Sequence, residues 1–359
     1  MSSLEMGLDT FGDVTADPAG NLQPHARVLR DVVAEAELAD RVNVDFFGVG
    51  EHHRPDFAIS APEVLLAAIA SRTERLRLGT AVTILSTDDP VRVYQRFATL
   101  DAVSGGRAEV ILGRGSFTES FPLFGYSLDD YELLFEEKLA LWAALREADR
   151  TGEPVRWKGT VRPPLDGVRI FPRVERPPLS TWVGVGGSPE SVVRAARYRF
   201  PLTLAIIGGD PRRFAPYVEL YHRALRQLGA EPLPVGVHSP GHIAETDERA
   251  REELWLPYKV MRDRIGSERG WPPMSRAEFE REIEVGSLYV GSPDTVARKI
   301  AATVRALGAA RFDLKYSAGT LDHETLMRSI ELYGREVIPR VRRSLAARPA
   351  VTAGAGSAG

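Results

Sequence analysis

A glutamate and two adjacent histidines, Glu51, His52 and His53, follow directly after the apolar run at residues 44–50. The chain has only seven histidines, so this triplet is the first candidate for chemistry. Three kinds of site are open: a metal centre, an acid/base site, and a loop whose polar groups satisfy one another. Successive side chains of an extended segment point to opposite sides, whereas metal ligands converge on one ion. We therefore expect no metal here and take His52 and His53 as catalytic candidates.

Two further apolar runs end in residues suited to binding an anion. The stretch LGRGSF projects Arg114, and arginine makes charge-assisted hydrogen bonds to phosphate. In VGVGGSPES, Gly186 and Gly187 leave backbone N–H groups open before a helix that begins at Ser188. Neither motif is specific alone, since an exposed arginine and a capped turn account for them equally well.

Small apolar residues end a third run, at residues 76–85. They fit ordinary core packing or a flat apolar shelf for an aromatic ligand. A separate pair, His238 and His242, has helical spacing, but Pro240 and Gly241 between them argue against a helix. We expect both histidines to line the mouth of a later strand.

All these segments end apolar runs that alternate with amphipathic helical stretches. Eight runs are predicted as strands, each followed by a helical stretch: residues 4–11, 44–50, 76–85, 107–115, 180–187, 201–209, 234–246 and 312–317. The alternation predicts an α/β protein with a single (β/α)8 TIM barrel and insertions after strands 4 and 7. An open doubly wound sheet is the alternative. In a barrel, catalytic groups sit at the C-terminal ends of the strands.

Composition excludes several classes of function. The chain has 359 residues, a formal net charge of −3 and no cysteine, which excludes disulfides, thiolate nucleophiles and iron–sulfur clusters. The charge gives no reason to expect a nucleic acid or membrane partner, and the N-terminus lacks the features of a signal peptide. We expect a cytoplasmic protein with one domain at residues 1–340 and a flexible tail at residues 341–359.

Several stretches, taken in their order, resemble the bacterial luciferase-like flavin-dependent monooxygenases. They are EHHRPDF, LRLGTAVTILSTDDPVRVYQRFATLDAVSGGRAEVILGRGSF, FGYSLDDYELLFEEKLALW, VGVGGSPESVVRAARYRFPLTLAIIGG and SLYVGSPDTVARKI. No single stretch is decisive, but their joint order is specific and extends over roughly residues 4–340. The chain looks most like the FMN-dependent branch of this superfamily.

This resemblance implies an enzyme that uses reduced FMN and O2, through a C4a-peroxyflavin, to oxygenate a small organic substrate. It implies that His52 is the acid/base histidine, with His53 beside it. A non-proline cis peptide is expected between Ala81 and Val82, in the segment under the isoalloxazine. The implied cofactor-binding residues are Thr80, Ala81 and Val82 for the ring, and Arg114, Ser116, Gly186, Gly187 and Ser188, with the phosphate at Arg114 and residues 186–188.

The chain also departs from luciferase itself. Gly186 and Gly187 replace a glutamate and a serine, and the reactive cysteine has no counterpart, so the long-chain aldehyde substrate is not carried over. Residues 248–307, with Trp255, Tyr258 and Trp271, are expected to form a variable lid. The roles of Glu51 and His53 stay open.

The resemblance leaves three other functions open: a deazaflavin-dependent dehydrogenase of the same superfamily, a non-catalytic flavin-binding protein, and a metal-dependent barrel hydrolase. No dinucleotide-binding fingerprint occurs, so we expect a separate NAD(P)H-dependent flavin reductase as partner. The resemblance further implies a homodimer or homotetramer.

Overall fold

The computed structural model describes residues 4–17 and 19–347, in which parallel strands form a barrel surrounded by helices. The strands are β1 (Glu5–Thr10), β2 (Phe46–Val49), β3 (Arg77–Thr80), β4 (Thr83–Ile84), β5 (Glu109–Gly113), β6 (Val155–Trp157), β7 (Leu165–Val168), β8 (Ser180–Val185), β9 (Leu202–Ala205), β10 (Val235–Ile243), β11 (Tyr289–Gly291) and β12 (Arg311–Lys315). The order in the sheet is β3-β2-β1-β12-β10-β9-β8-β5-β4. The predicted TIM-barrel class is confirmed.

Helices follow the strands and cover the outside of the barrel. They are α1 (His25–Arg41), α2 (Pro62–Ala70), α3 (Pro90–Ser104), α4 (Ser120–Leu123), α5 (Tyr131–Thr151), α6 (Pro189–Arg197), α7 (Ala215–Gln227), α8 (Asp247–Arg269), α9 (Arg276–Glu284), α10 (Pro293–Leu307), α11 (His323–Leu332) and α12 (Ile338–Ala346). Short 3-10 helices occupy Leu85–Thr87, Leu128–Asp130 and Pro211–Phe214, and a π-helix occupies Tyr333–Val337.

The predicted third strand is divided into β3 and β4, which are separated by Ala81 and Val82. The barrel closes beside this break, where the N–H of Leu78 donates to the carbonyl of Arg107 at 2.9 Å. Two residues further, the hydroxyl of Thr80 donates to the carbonyl of Ile111 at 3.2 Å and accepts from its N–H at 3.3 Å. A side chain thus continues the pairing of β3 with β5 where the backbone turns away.

Two segments depart from the eightfold repeat. The antiparallel hairpin β6-β7 follows α5, in the stretch where the sequence pattern departs from the repeat. After β10, the chain forms α8 and α9 and then β11, which was not predicted from sequence. β11 pairs with the outer end of the nine-residue strand β10, where Gly241 lies opposite Tyr289. A three-residue strand is too short to give a recognisable alternation of side chains.

The predicted start of the tail, at residue 341, is wrong. α12 continues to Ala346, and Val341 within it is fully buried. Residues 348–359 of the predicted tail lie outside the described residues. None of the described helices is long and apolar enough to cross a bilayer.

A buried ion cluster fills the N-terminal end of the barrel. The guanidinium of Arg311 lies between the rings of Phe46 and Trp182, 4.5 Å from each ring centroid. It forms ion pairs with Glu109 and with Glu5, the latter at 2.7 Å. Burial alone raises the pKa of Glu109, but Arg311 holds this pKa below its usual range. The cluster therefore stays ionised and closes this end of the barrel.

The opposite end of the barrel is lined by small residues. A Cβ atom at Gly113 would overlap the side chain of Val82, and one at Gly184 would lie 3.0 Å from Val82 Cγ1. Glycine at these two positions gives Val82 room inside the barrel wall. Because Phe46, Trp182 and Arg311 fill the N-terminal end, the space in the barrel lies at the C-terminal ends of the strands.

We predict that Arg311→Ala destabilises the protein by about 3–5 kcal/mol, because it leaves Glu109 buried without its main counter-charge. Urea unfolding measures this loss. The matched control is Arg156→Ala, which removes an ion pair with Asp166 whose side chains are 73% and 84% exposed. The control should lose less than about 1 kcal/mol. Equal losses in the two variants would contradict the role given to the buried cluster.

Candidate active site

A cavity of about 820 Å3 opens at the C-terminal ends of the barrel strands. Six of the predicted catalytic and cofactor-binding residues contribute to its wall: His52, Ala81, Val82, Arg114, Ser116 and Gly186. They come from the ends of different strands, far apart in sequence. The barrel thus brings together most of the motifs that the sequence had indicated separately.

Four other predicted site residues lie outside the wall. Thr80 is buried in the contact between β3 and β5, and His53 is held by Glu51. Ser188 caps α6, where its hydroxyl accepts from the N–H of Ser191 at 3.3 Å. Gly187 has a left-handed backbone with φ +102°, and a Cβ there would lie 3.1 Å from the Phe214 ring. Gly187 and Ser188 nevertheless directly follow Gly186, at the start of a helix.

The carboxylate of Glu51 is a structural link. One oxygen accepts from the N–H of Ile84 at 2.9 Å, and the other lies 2.9 Å from His53 Nε2. The N–H of Glu51 donates to the carbonyl of Val82 at 3.1 Å. These bonds fix the segment after β3 against the loop after β2. Glu51 and His53 therefore position the cavity wall.

His52 lies in a cage of aromatic rings. Its ring centroid is 4.6 Å from those of Phe11 and Phe57 and 5.2 Å from that of Phe117. Its Nδ1 has no hydrogen-bond partner among the described residues. Burial, aided by Lys315, lowers the pKa of His52 to about 3, against the opposing effect of the Asp13 carboxylate. His52 is therefore an uncharged imidazole at neutral pH.

The segment between β3 and β4 supplies an apolar wall beside His52. The peptide bond between Ala81 and Val82 is cis, as predicted. The N–H of Ala81 donates to the carbonyl of Val49 at 2.9 Å, which fixes the segment to β2. Val82 presents its side chain to the barrel interior. A planar apolar ligand can pack here.

Four arginines stand on the cavity wall: Arg114, Arg213, Arg262 and Arg269. Arg114 forms an ion pair with Glu132 and lies over the ring of Tyr131, 5.5 Å from its centroid. Arg213 is exposed and has no carboxylate partner among the residues that the structure describes. Sequence reasoning missed Arg213, because one arginine among many in a helical stretch has no distinguishing pattern.

The floor of the cavity is polar. Asp9, His238, Asp313 and Lys315 contribute to it, and His238 Nδ1 lies 2.7 Å from Asp9 Oδ2. Sequence reasoning expected His238 here but missed the other three. Charged residues at alternate positions of apolar strands, such as Asp313 and Lys315 in β12, are the signal that could have found them.

The expectation that His242 also lines the mouth is wrong. Its side chain is fully buried, and its Nε2 lies 2.8 Å from the carboxylate of Glu253 on α8. β10 is nine residues long, so its last residues extend beyond the cavity and pack beneath α8. His242 is therefore a structural contact.

One side of the cavity is covered by α8 and the loop that follows it. Tyr258, Met261 and Trp271 line the cavity from this segment. Trp255 does not, since it packs against Phe279 with ring centroids 5.1 Å apart. Arg54 ties the loop after β2 to this cover through an ion pair with Glu268. The predicted lid region thus contributes directly to the cavity.

No group of three or more His, Asp or Glu side chains converges in a way that could hold a metal ion within residues 4–17 and 19–347. In the Glu-His-His triplet, Glu51 binds His53, whereas His52 faces the aromatic cage.

We predict that His52 stays neutral at every pH above about 4, because charging it inside the aromatic cage costs solvation energy. Histidine NMR titration measures this directly. His323 is the internal control in the same spectrum, since the hydrogen bond that its ring donates to the Glu35 carboxylate raises its pKa above the usual value. A midpoint for His52 at the ordinary histidine value would contradict the proposed environment.

Comparison with known proteins identifies the family of the chain. The model of the luciferase-like monooxygenase family matches residues 10–311. The 4-hydroxyprotoasukamycin monooxygenase of Streptomyces nodosus subsp. asukaensis is 29% identical over 329 residues, which cover 86% of each chain.

Two solved structures share the fold. The oxygenating constituent of 3,6-diketocamphane monooxygenase from Pseudomonas putida, a complex with FMN, aligns with a TM-score of 0.74 at 20% identity, over 94% of this chain and 99% of that one. A coenzyme F420-dependent secondary alcohol dehydrogenase aligns with a TM-score of 0.72 at 18% identity, over 94% and 99%. Because the family model matches most of the sequence, this chain belongs to the luciferase-like monooxygenase family.

Proposed function

We propose that the protein is a flavin-dependent monooxygenase that uses reduced FMN and O2 to oxygenate a small organic substrate. The observation that carries this proposal is the combination of a flat apolar wall at Ala81 and Val82 with a cationic side chain, Arg114, in one cavity. A flavin has the same division into a planar ring system and a phosphate. The cavity volume of about 820 Å3 is in the range typical of cofactor sites.

The residues present fit FMN. The isoalloxazine packs against Ala81 and Val82, whereas Thr80 supports this wall from behind. The phosphate binds at Arg114 and Ser116, and the open backbone of Gly186, Gly187 and Ser188 at the start of α6 offers N–H groups to it. Arg213 provides a further cation on the wall.

Reduced FMN, when bound, supplies the electrons and activates O2. The chain's own contribution is to orient the ring and to exclude water. The rings around His52 give the cavity an apolar region, and α8 covers one side of it. Uncharged His52 offers one hydrogen-bond donor and one acceptor beside the flavin ring. His53 helps to position the cavity wall through its contact with Glu51.

A separate flavin reductase delivers reduced FMN in this proposal. The sequence has no dinucleotide-binding fingerprint, and the cavity is shared between the flavin and the substrate. Rapid oxidation of NADH by the purified protein with FMN alone would contradict the need for a reductase.

The assembly proposed is a homodimer or homotetramer, and light scattering tests it.

Anaerobic titration with reduced FMN, oxidised FMN and coenzyme F420, followed by exposure to O2, tests the function. We expect reduced FMN to bind most tightly and O2 consumption to yield an oxygenated product once a substrate is present. Tighter binding of F420 with hydride transfer and no use of O2 would replace the proposal with a deazaflavin-dependent dehydrogenase. Binding without any turnover would make the protein a flavin carrier.

We predict that Arg114→Ala weakens FMN binding by about 10- to 100-fold, because it removes a charge-assisted hydrogen bond of about 1.5–3 kcal/mol. Riboflavin, which has no phosphate, should bind wild type and variant equally. The control Glu132→Gln leaves Arg114 in place and removes its competing carboxylate, so FMN affinity should not fall. Equal weakening of FMN and riboflavin would locate the phosphate elsewhere.

A further inference from the structure

A carboxylate–histidine pair stands on the cavity floor, apart from His52. His238 Nδ1 lies 2.7 Å from Oδ2 of Asp9, and Asp9 is fully buried. The Nε2 of His238 has no hydrogen-bond partner among the described residues, and the ring forms part of the cavity wall. One nitrogen of His238 is thus fixed by the protein, whereas the other is available to a ligand.

This pairing fixes the tautomer of His238. A carboxylate only accepts hydrogen bonds, so Nδ1 carries the proton and the lone pair lies on Nε2. A buried carboxylate behind an imidazole also stabilises the imidazolium that forms when Nε2 takes a proton. His52 lacks both features, because rings surround it and its Nδ1 is unpaired within the part of the chain that the structure describes.

A second carboxyl group, Asp313, lies beside the pair. It is opposite His238 in the pairing of β10 with β12, and neither of its oxygens has a hydrogen-bond partner in the described residues. Burial raises the pKa of Asp313 well above its usual value, although Arg311 opposes this effect. Asp313 is therefore protonated more readily than an exposed aspartate. The carboxyl group that contacts His238 directly is Asp9.

The remaining cation of the floor is already neutralised. Lys315 Nζ lies 2.8 Å and 3.1 Å from the two carboxylate oxygens of Asp13, and it is 4.6 Å from the ring centroid of Phe11. Phe11 also separates the two histidines, since its ring is 4.6 Å from His52 and stacks on His238 at 6.1 Å. The floor therefore offers a base but no free positive charge for a carboxylate substrate.

We propose that His238, oriented by Asp9, is the general base of the cavity and removes the proton from a phenolic or enolic hydroxyl of the substrate. In this step the substrate O–H bond breaks and an N–H bond forms at His238 Nε2. The substrate oxygen keeps the electron pair, and Asp9 balances the imidazolium. This assignment rests on the proposed function, and it narrows the substrate to planar, apolar molecules that carry an acidic hydroxyl.

The surroundings support that substrate class. Phe57, Phe117 and Trp271 line the cavity above the floor and suit an aromatic or conjugated body. Removal of the hydroxyl proton makes the neighbouring carbon atoms electron-rich, which favours addition of an electrophilic oxygen. A substrate without an acidic hydroxyl would leave the Asp9–His238 pair with no proton to take.

The test uses the flavin-free protein and 4-nitrophenol, whose phenolate form absorbs at longer wavelength than the phenol. At a pH below the ionisation of the free probe, wild type should bind it and produce the phenolate band. His238→Asn keeps an N–H for Asp9 but lacks Nε2, so the ionised fraction of bound probe should fall at least about tenfold. Asp9→Asn should also lower the ionised fraction of bound probe. Nitrogen NMR of wild type should show a protonated Nδ1 and a bare Nε2 at His238.

His242→Gln is the matched control, since His242 is on the same strand but contacts Glu253 outside the cavity. It should leave the phenolate band unchanged. The proposal is overturned if wild type does not bind the probe, binds it as the neutral phenol, or keeps the band in His238→Asn. FMN titration of the same proteins separates the two claims. Failure of the wild-type protein to bind FMN would contradict the proposed function. An unchanged phenolate band in His238→Asn would contradict only the role of His238.

Discussion

The ion pair between Arg311 and Glu109 determines where this barrel is full and where it is open. Two charges buried in a protein interior are tolerated only when they compensate each other and their hydrogen bonds are satisfied. Here Glu5 and the rings of Phe46 and Trp182 complete that compensation. The N-terminal end is filled in this way, and the cavity lies at the other end of the barrel, where small residues surround Val82.

The two histidines of that space have opposite surroundings, and this difference separates their roles. His52 is held among aromatic rings, which disfavour its charged form. His238 is held by Asp9 through one ring nitrogen, and its other nitrogen is open to the cavity. An enzyme that must both pack a planar cofactor and ionise a substrate needs an apolar region and a polar region in one cavity. Phe11, between the two histidines, lies where these regions meet.

The fold and much of the cavity could be predicted from the sequence, because apolar strands end in recognisable motifs. Ala81, Val82 and Arg114 could be predicted as site residues for this reason, and all three line the cavity. Thr80 did not, since side chains alternate along β3 and its hydroxyl is used to close the barrel. Asp9 and Asp313 were missed because a single acidic residue in an apolar strand gains its meaning only from the strands beside it, and that register is set by the closed sheet.

In the proposed complex, FMN lies in the cavity with its ring on the wall formed by Ala81 and Val82. A crystal structure of the protein with FMN at saturating concentration tests this placement. We expect electron density for the isoalloxazine against that wall, with the phosphate at Arg114 and the start of α6. Density for the ring elsewhere, or a phosphate at the floor beside His238, would contradict it.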